Sequence, residues 1–284
     1  MTAHSHDPQW GRGGVLPVLL APQAPTPMPR LSRSVPPVLC AILIVYAGSA
    51  HALGPPTPAS ALEIVIKWAP LLLGGFAFNI LISLLAMALG TLAGFGLGLL
   101  LISEQVLARR AAWSVMQFFR NAPWLVLLFF AMFLIPFRIT VMGVTIPLPD
   151  WVKAVIGFAL PVMANVAEIL RGAVASIPST QWEAAESLAL SRRQTVWLVI
   201  LPQCFKRMLP SWMNLYALIT MATVQASIVG VSEMLTITAQ VHAAEGGRTD
   251  LFAPLYGFAL LCFFLYCYPI DYMTARLERR FNVR

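Results

Sequence analysis

Charge is scarce in this sequence. Asp, Glu, Lys and Arg make up 11% of its 284 residues, against roughly a quarter in soluble domains, which excludes an ordinary water-soluble enzyme. Cysteine is equally sparse: Cys40, Cys204, Cys262 and Cys267 form no C-x-x-C pair and have no His nearby at metal-ligand spacing, so neither a disulfide framework nor a metal site is expected. The histidines, His4, His6, His51 and His242, fall in segments that read as tail or exterior loop, away from any carboxylate cluster. No catalytic constellation emerges from them. The pattern G-x-x-x-x-G-K-[ST] does not occur, so the chain lacks that device for cradling nucleotide phosphates. No internal repeat is visible either.

What is present is apolar sequence. Hydrophobic residues make up 58% of the chain, the mean hydropathy is +0.76, and several runs approach the ~20 residues needed to cross a bilayer. The net charge of +7 sits in short clusters between those runs, as topology signals do, and is not read as a nucleic-acid surface. The expected fold class is an all-α integral membrane protein with five core transmembrane helices plus an N-terminal apolar segment.

Residues 1–35 carry Pro8, Pro17, Pro22, Pro25, Pro27 and Pro29 among small and polar residues, a composition that cannot build a packed core, and are expected to be disordered. Residues 36–53 follow Arg30 and Arg33 with an apolar run and end in Ala50-His51-Ala52. That layout fits a signal peptide or an uncleaved first transmembrane helix; a start at Met28 would give a signal of normal length. A transmembrane domain is expected over 69–284. Its first apolar stretch, Ala69 to Ile102, should open with an interfacial turn before a span from about Phe78. Gly90, Gly94 and Gly98, at i, i+4 and i+8, strip one helix face and mark a packing seam. Further spans are expected near Ala122 to Met142, Val152 to Leu170, Leu209 to Ile228 and Leu251 to Ile270.

Basic residues set the orientation. Arg109, Arg110, Arg120, Arg171, Arg192, Arg193, Lys206, Arg207 and the tail arginines Arg276, Arg279, Arg280 and Arg284 collect on alternate connections, which are therefore cytoplasmic. Lys67, Arg138, Lys153 and Arg248, with Glu63, Asp150, Glu233, Glu245 and Asp250, fall on the outer loops. The core N-terminus is thus outside and the C-terminus cytoplasmic.

The segment 172–210 is far longer than a bare connector between spans. Thr180-x-x-Glu183 and Ser191-x-x-Gln194 both have capping-box spacing, so two short helices should meet near Ser191, and Pro202 should stop or kink the second. Ala184, Ala185 and Ala189 offer a small-residue surface on the first, suited to settling into a partner's groove.

These residues resemble a known family. "EAAESLALSRRQTVWLVILP", Glu183 to Pro202, is similar to the EAA loop of ATP-binding-cassette importer permeases. "FFRNAPWLVLLFF" (Phe118 to Phe130), "AEILRG" (Ala167 to Gly172), "LPQCFKRMLP" (Leu201 to Pro210) and "SIVGVSEML" (Ser227 to Leu235) resemble motifs of the polar amino-acid branch, the histidine and glutamine permease type. The resemblance runs from about Leu71 to Phe281. It implies a type I-like importer permease in the bacterial inner membrane. It also implies ATPase coupling through Glu183, Ala184, Ala185, Ala189 and Pro202. The implied partners are a cytoplasmic ABC ATPase dimer that uses the ATP, a second permease subunit and an extracytoplasmic substrate-binding protein. No cofactor is expected on this chain. The sequence departs from the branch at the loop's usual glycine, which is Ala189 here. It departs again at Met221 and Ala222, where a lysine and an acidic or hydroxyl residue usually precede Thr223, and at Ser232, where proline is usual.

Polar residues within spans are costly and mark pathways or structural pairs. Asn79, Asn165, Glu168, Thr223, Gln225 and Ser227 are the candidate substrate pathway. Glu168 either receives a ligand's ammonium or neutralises Arg171 one turn on, and the others either line a cavity or bond between helices. An ion-gradient-driven secondary transporter or channel is the alternative; it would require inverted repeats and an intramembrane acid pair, and Glu168 is the only acid these spans are expected to hold.

Overall fold

The structure, a computed structural model, describes residues 60–141 and 144–281. The expected disordered segment 1–35 and the apolar segment 36–53 lie outside the described residues. The first helix, α1 (Ala61–Leu101), is a single continuous element of 41 residues. The interfacial turn expected before Phe78 is absent because a reciprocal capping box, Ser60 with Glu63, starts the helix eight residues before Ala69, and Pro70 is carried inside it. Helix α2 (Val106–Asn121) and helix α3 (Trp124–Leu134) meet at 104°, where Pro123 cannot donate the amide that would continue α2.

The span expected over Ala122 to Met142 therefore ends early. After Leu134 the chain forms an antiparallel hairpin, β1 (Arg138–Val141) with β2 (Val144–Pro147), in which Arg138 pairs with Pro147 and Val141 with Val144. The alternation R-I-T-V and V-T-I-P suits a pleated pair better than a helix. This hairpin is a local exception to an otherwise helical architecture. Helix α4 (Asp150–Ala175) follows, then α5 (Ser179–Ser187) and the single turn α6 (Arg192–Gln194). A π-helical stretch (Thr195–Ile200) continues directly into α7 (Leu201–Ala222), and a 3-10 stretch (Thr223–Val229) ends at Gly230, whose φ of 88° a Cβ would oppose. Helix α8 (Met234–Ala244) and helix α9 (Thr249–Phe281) complete the described chain. Among the described residues, four stretches are long and apolar enough to cross a membrane, and a fifth if the bent α2–α3 pair is one span.

The packing of α1 on α4 organises the bundle. Gly90, Gly94 and Gly98 all face α4, and a Cβ built on Gly94 would stand 2.5 Å from the Met163 carbonyl oxygen, one on Gly98 2.7 Å from Leu170 Cδ2. The seam read from the four-residue repeat is therefore the contact itself. Around it a core of Ile82, Met87, Leu128, Phe158, Val162, Leu215 and Ile219 joins α1, α3, α4 and α7. A second cluster, with Ile64, Leu72, Met234, Leu251 and Leu255, holds α8 and α9 against the first half of α1.

Candidate functional site

The segment between α4 and α7 is tied down from three sides. Trp182 packs on a cluster of Leu170, Val174, Ile177, Ile200 and Cys204. The Arg192 guanidinium lies 4.0 Å from the Trp182 ring centre and 3.6 Å from Glu104. Arg207 donates to the Ser176 carbonyl oxygen and hydroxyl at 2.9 and 3.0 Å. These contacts fix α5 to α7 and to the α1–α2 connection, so a push on α5 is delivered to two spans.

Within the segment the two capping boxes fare differently. Ser191 and Gln194 form theirs reciprocally. Thr180 does not cap α5: the helix begins at Ser179, two residues before the start a Thr180 cap would set, with Pro178 in the cap position and no side-chain hydrogen bond. Glu183 and Ala184 are exposed on α5, whereas Ala185, expected on the docking face, is 2% exposed and packs inward. At the far end of α5, Leu190 N–H donates to the Ala185 carbonyl and Ala189 N–H to that of Glu186, the two bonds of a Schellman closure. Its left-handed position is Ala189, with φ 53°. Here the departure from the loop's usual glycine has a measurable backbone consequence, since a Cβ in that region costs roughly 1–2 kcal/mol.

Pro202, expected to stop or kink the second helix, stands in the first turn of α7 with the π-helical stretch before it. A proline there withholds the amide that would bond four residues back, and the preceding turn widens instead. Earlier in the segment Arg193, Gln194, Trp197 and Leu198 line a cavity of about 440 Å³.

The polar residues proposed for a pathway divide into separate groups. Asn79 and Thr223 meet: Asn79 Nδ2 donates to Thr223 Oγ1 at 3.0 Å and to Glu233 Oε2 at 2.9 Å, and its Oδ1 accepts from Met234 N–H at 3.1 Å. All three side chains are fully buried. Glu233, expected on an outer loop, caps α8 through the amides of Leu235 and Thr236. The close approach that permits this comes from Gly75, one turn before Asn79, where a Cβ would stand 2.9 Å from Met234 Cα.

Gln225 and Ser227 follow Thr223 on the 3-10 stretch. Ser227 donates to its neighbour's carbonyl, Val224 O, and Gln225 Oε1 is buried without a hydrogen-bond partner among the described residues. Asn165 and Glu168 lie elsewhere, toward the other end of α4. Asn165 donates to Pro161 O. Glu168 receives two bonds of 2.8 Å from Arg171 and stands 3.3 Å from Arg120 of α2, a contact no local spacing could have revealed. Lys153 also departs from expectation: it is wholly buried in the second turn of α4 and not on an exposed loop. At the α8–α9 connection, hydrogen bonds from Lys67 and the Trp68 indole hold the Glu245 carboxyl below its ordinary pKa, and the carboxylate of Asp250 raises that of Arg248.

Comparison with known proteins decides the class. The family described as the inner membrane component of binding-protein-dependent transport systems matches residues 90–283. The chain belongs to this family. The permease is 32% identical over 219 residues to the probable amino-acid ABC transporter permease protein YckA of Bacillus subtilis, covering 77% of this chain and 92% of the relative. It is 29% identical over 234 residues to the L-cystine transport system permease protein TcyB of the same organism, covering 79% and 95%. A crystal structure of an amino acid ABC transporter with histidines matches with a TM-score of 0.67 at 23% identity, over 79% of this chain and all of that one. The permease thus has the fold of the type I ABC importers and is a multi-pass inner membrane protein, a transport subunit of an ABC importer. Subunits of this kind work with an ATPase and a substrate-binding protein.

Proposed function

We propose that this permease carries a polar amino acid or a related zwitterion, and that α5 receives the movement of a separate cytoplasmic ATPase dimer, where the ATP is bound and hydrolysed. The complete importer contains a second permease subunit, identical or different, and an extracytoplasmic binding protein. The core N-terminus lies outside and the C-terminus in the cytoplasm. Glu183, Ala184, Ala185, Ala189 and Pro202 form the coupling element, and Asn79, Thr223, Gln225 and Ser227, with Asn165 and Glu168, border the pathway. The substrate class is supported by relatives that are amino-acid permeases.

The observation that carries the coupling reading is the anchoring of α5. A helix left with Glu183 and Ala184 exposed, yet bound through Arg192, Arg207 and Trp182 to two spans, transmits an external load instead of absorbing it. Glu183→Ala in the reconstituted importer is expected to lower ATP-driven uptake several-fold while the complex still assembles. Uptake at the wild-type rate would remove Glu183 from the mechanism, and accumulation by this chain alone under an ion gradient would overturn the importer reading.

A further inference from the structure

Helix α2 has three distinct faces. Ala112 and Met116 are buried among Leu101, Ala164 and Ala167, which fixes α2 on α1 and α4. Leu107, Ala111, Val115 and Phe118, at i, i+4, i+8 and i+11, fall within about 80° of one another at 100° per residue. All four are exposed, Leu107 to 83%. The third sector carries Arg110, Ser114, Gln117 and Asn121. An exposed apolar stripe beside a basic and polar one is the pattern of a helix that lies in a membrane interface.

Charge and direction agree with that pattern. Helix α2 contains Arg109, Arg110 and Arg120 and no acid. Helix α3 contains no charged, amide or hydroxyl side chain and exposes Val126, Phe130, Phe133 and Leu134, so it belongs in hydrocarbon. With α3 inserted along the bilayer normal, the 104° bend lays α2 close to the membrane plane. The three arginines are not equivalent. Arg120 stands 3.3 Å from Glu168, and Arg109 donates to the Ser103 carbonyl oxygen at 3.4 Å. The Arg110 guanidinium makes no hydrogen bond or ion pair among the described residues. Arg110 flanks the stripe, about 60° from Leu107, whereas Arg109 is turned about 160° from it. When the stripe is immersed, Arg110 stands at the level of the lipid phosphates. We propose that α2 binds an anionic phospholipid, its stripe of Leu107, Ala111, Val115 and Phe118 resting on acyl chains and the Arg110 guanidinium donating to the phosphate. Glu104, just before α2, reaches Arg192 at 3.6 Å, so this lipid is seated beside the coupling segment. The inference is independent of which substrate the permease carries.

The test uses the permease–ATPase complex in phosphatidylcholine nanodiscs doped with equal fractions of photoactivatable phosphatidylglycerol and phosphatidylcholine. Each probe carries its diazirine in the acyl chain next to the glycerol, and labelled residues are located by mass spectrometry. Both lipids are expected to label the stripe, phosphatidylglycerol by about fivefold or more over phosphatidylcholine, the weight of one basic residue near a lipid surface. Arg110→Gln should bring that ratio to within about twofold of one, and Arg110→Lys should keep it. Arg109→Gln, on the far side of the helix, should also keep it. Ala111→Glu should clear both lipids from the stripe. Leu260 and Leu265, exposed on α9, should stay labelled by both lipids in every variant, which shows that the bundle is folded. A stripe left unlabelled in the wild-type complex overturns the proposal, because water or a protein partner then covers it. A preference that survives Arg110→Gln, or that falls equally with Arg109→Gln, overturns the seat at Arg110 in favour of diffuse attraction.

Discussion

The buried bonds at Asn79 allow a local test with a magnitude. In Asn79→Leu the side-chain volume is nearly kept, but Met234 N–H loses its acceptor and Glu233 loses one donor. An orphaned buried amide costs about 1–3 kcal/mol and a lost bond to a charged group about 1.5–3, so about 3–5 kcal/mol of local stability should disappear. Glu233 keeps the amides of Leu235 and Thr236, and Thr223 still donates to Thr220 O, so the damage stays at the start of α8. Amide hydrogen exchange reads this directly, because buried amides exchange through local opening. Residues 231–237 should exchange at least about a hundredfold faster, the factor that about 3 kcal/mol implies, while the α1–α4 seam stays protected. Exchange within about threefold of wild type would refute the argument that Asn79 holds α8 to α1.

Two further outcomes follow from backbone geometry. Gly94→Leu forces a side chain into the Met163 carbonyl and should cost about 3 kcal/mol or more as overpacking against backbone, seen as a loss of folded protein in the membrane; Gly96→Leu, where a Cβ meets nothing, should be tolerated. Ala189→Gly removes the left-handed Cβ at the end of α5 and should stabilise the closure by about 1 kcal/mol net of the added chain entropy, read as slower exchange at the Ala189 and Leu190 amides; faster exchange would refute it.

Features written in local spacing are legible in the amino-acid sequence alone. The glycine repeat specifies the seam because close helix contact needs backbone without side chains at every fourth position, and the Ser191 box forms because both its partners lie three residues apart. The bend at Ala189 can be placed because its flanks resemble a loop that usually has glycine there. What escapes is set by tertiary context. Glu233 sits among Gly230, Ser232 and the α8 start, a composition that reads as exposed loop, and its burial depends on Asn79, 154 positions away. Lys153 stands three residues after Asp150 at the edge of its span, where a lysine reads as an interfacial charge, and nothing local places Phe137 over it. The hairpin is hidden because Ile139, Val141, Val144 and Ile146 extend the apolar run of α3, and only their alternation with threonine distinguishes a strand.

The π-helical stretch has a consequence for how this chain's helical faces are mapped. Along one side of residues 192–204 the buried positions are Thr195, Ile200 and Cys204, separated by five residues and then by four. A wheel drawn at 3.6 residues per turn through 192–222 therefore misplaces everything before Thr195 by one residue, about 100°. Residues such as Arg192 and Arg193 then fall on the wrong side of the cylinder. Any scan that infers from periodicity which side chains meet a partner needs two wheels, joined at Ile200, before a silent or damaging substitution in this segment can be assigned to a surface.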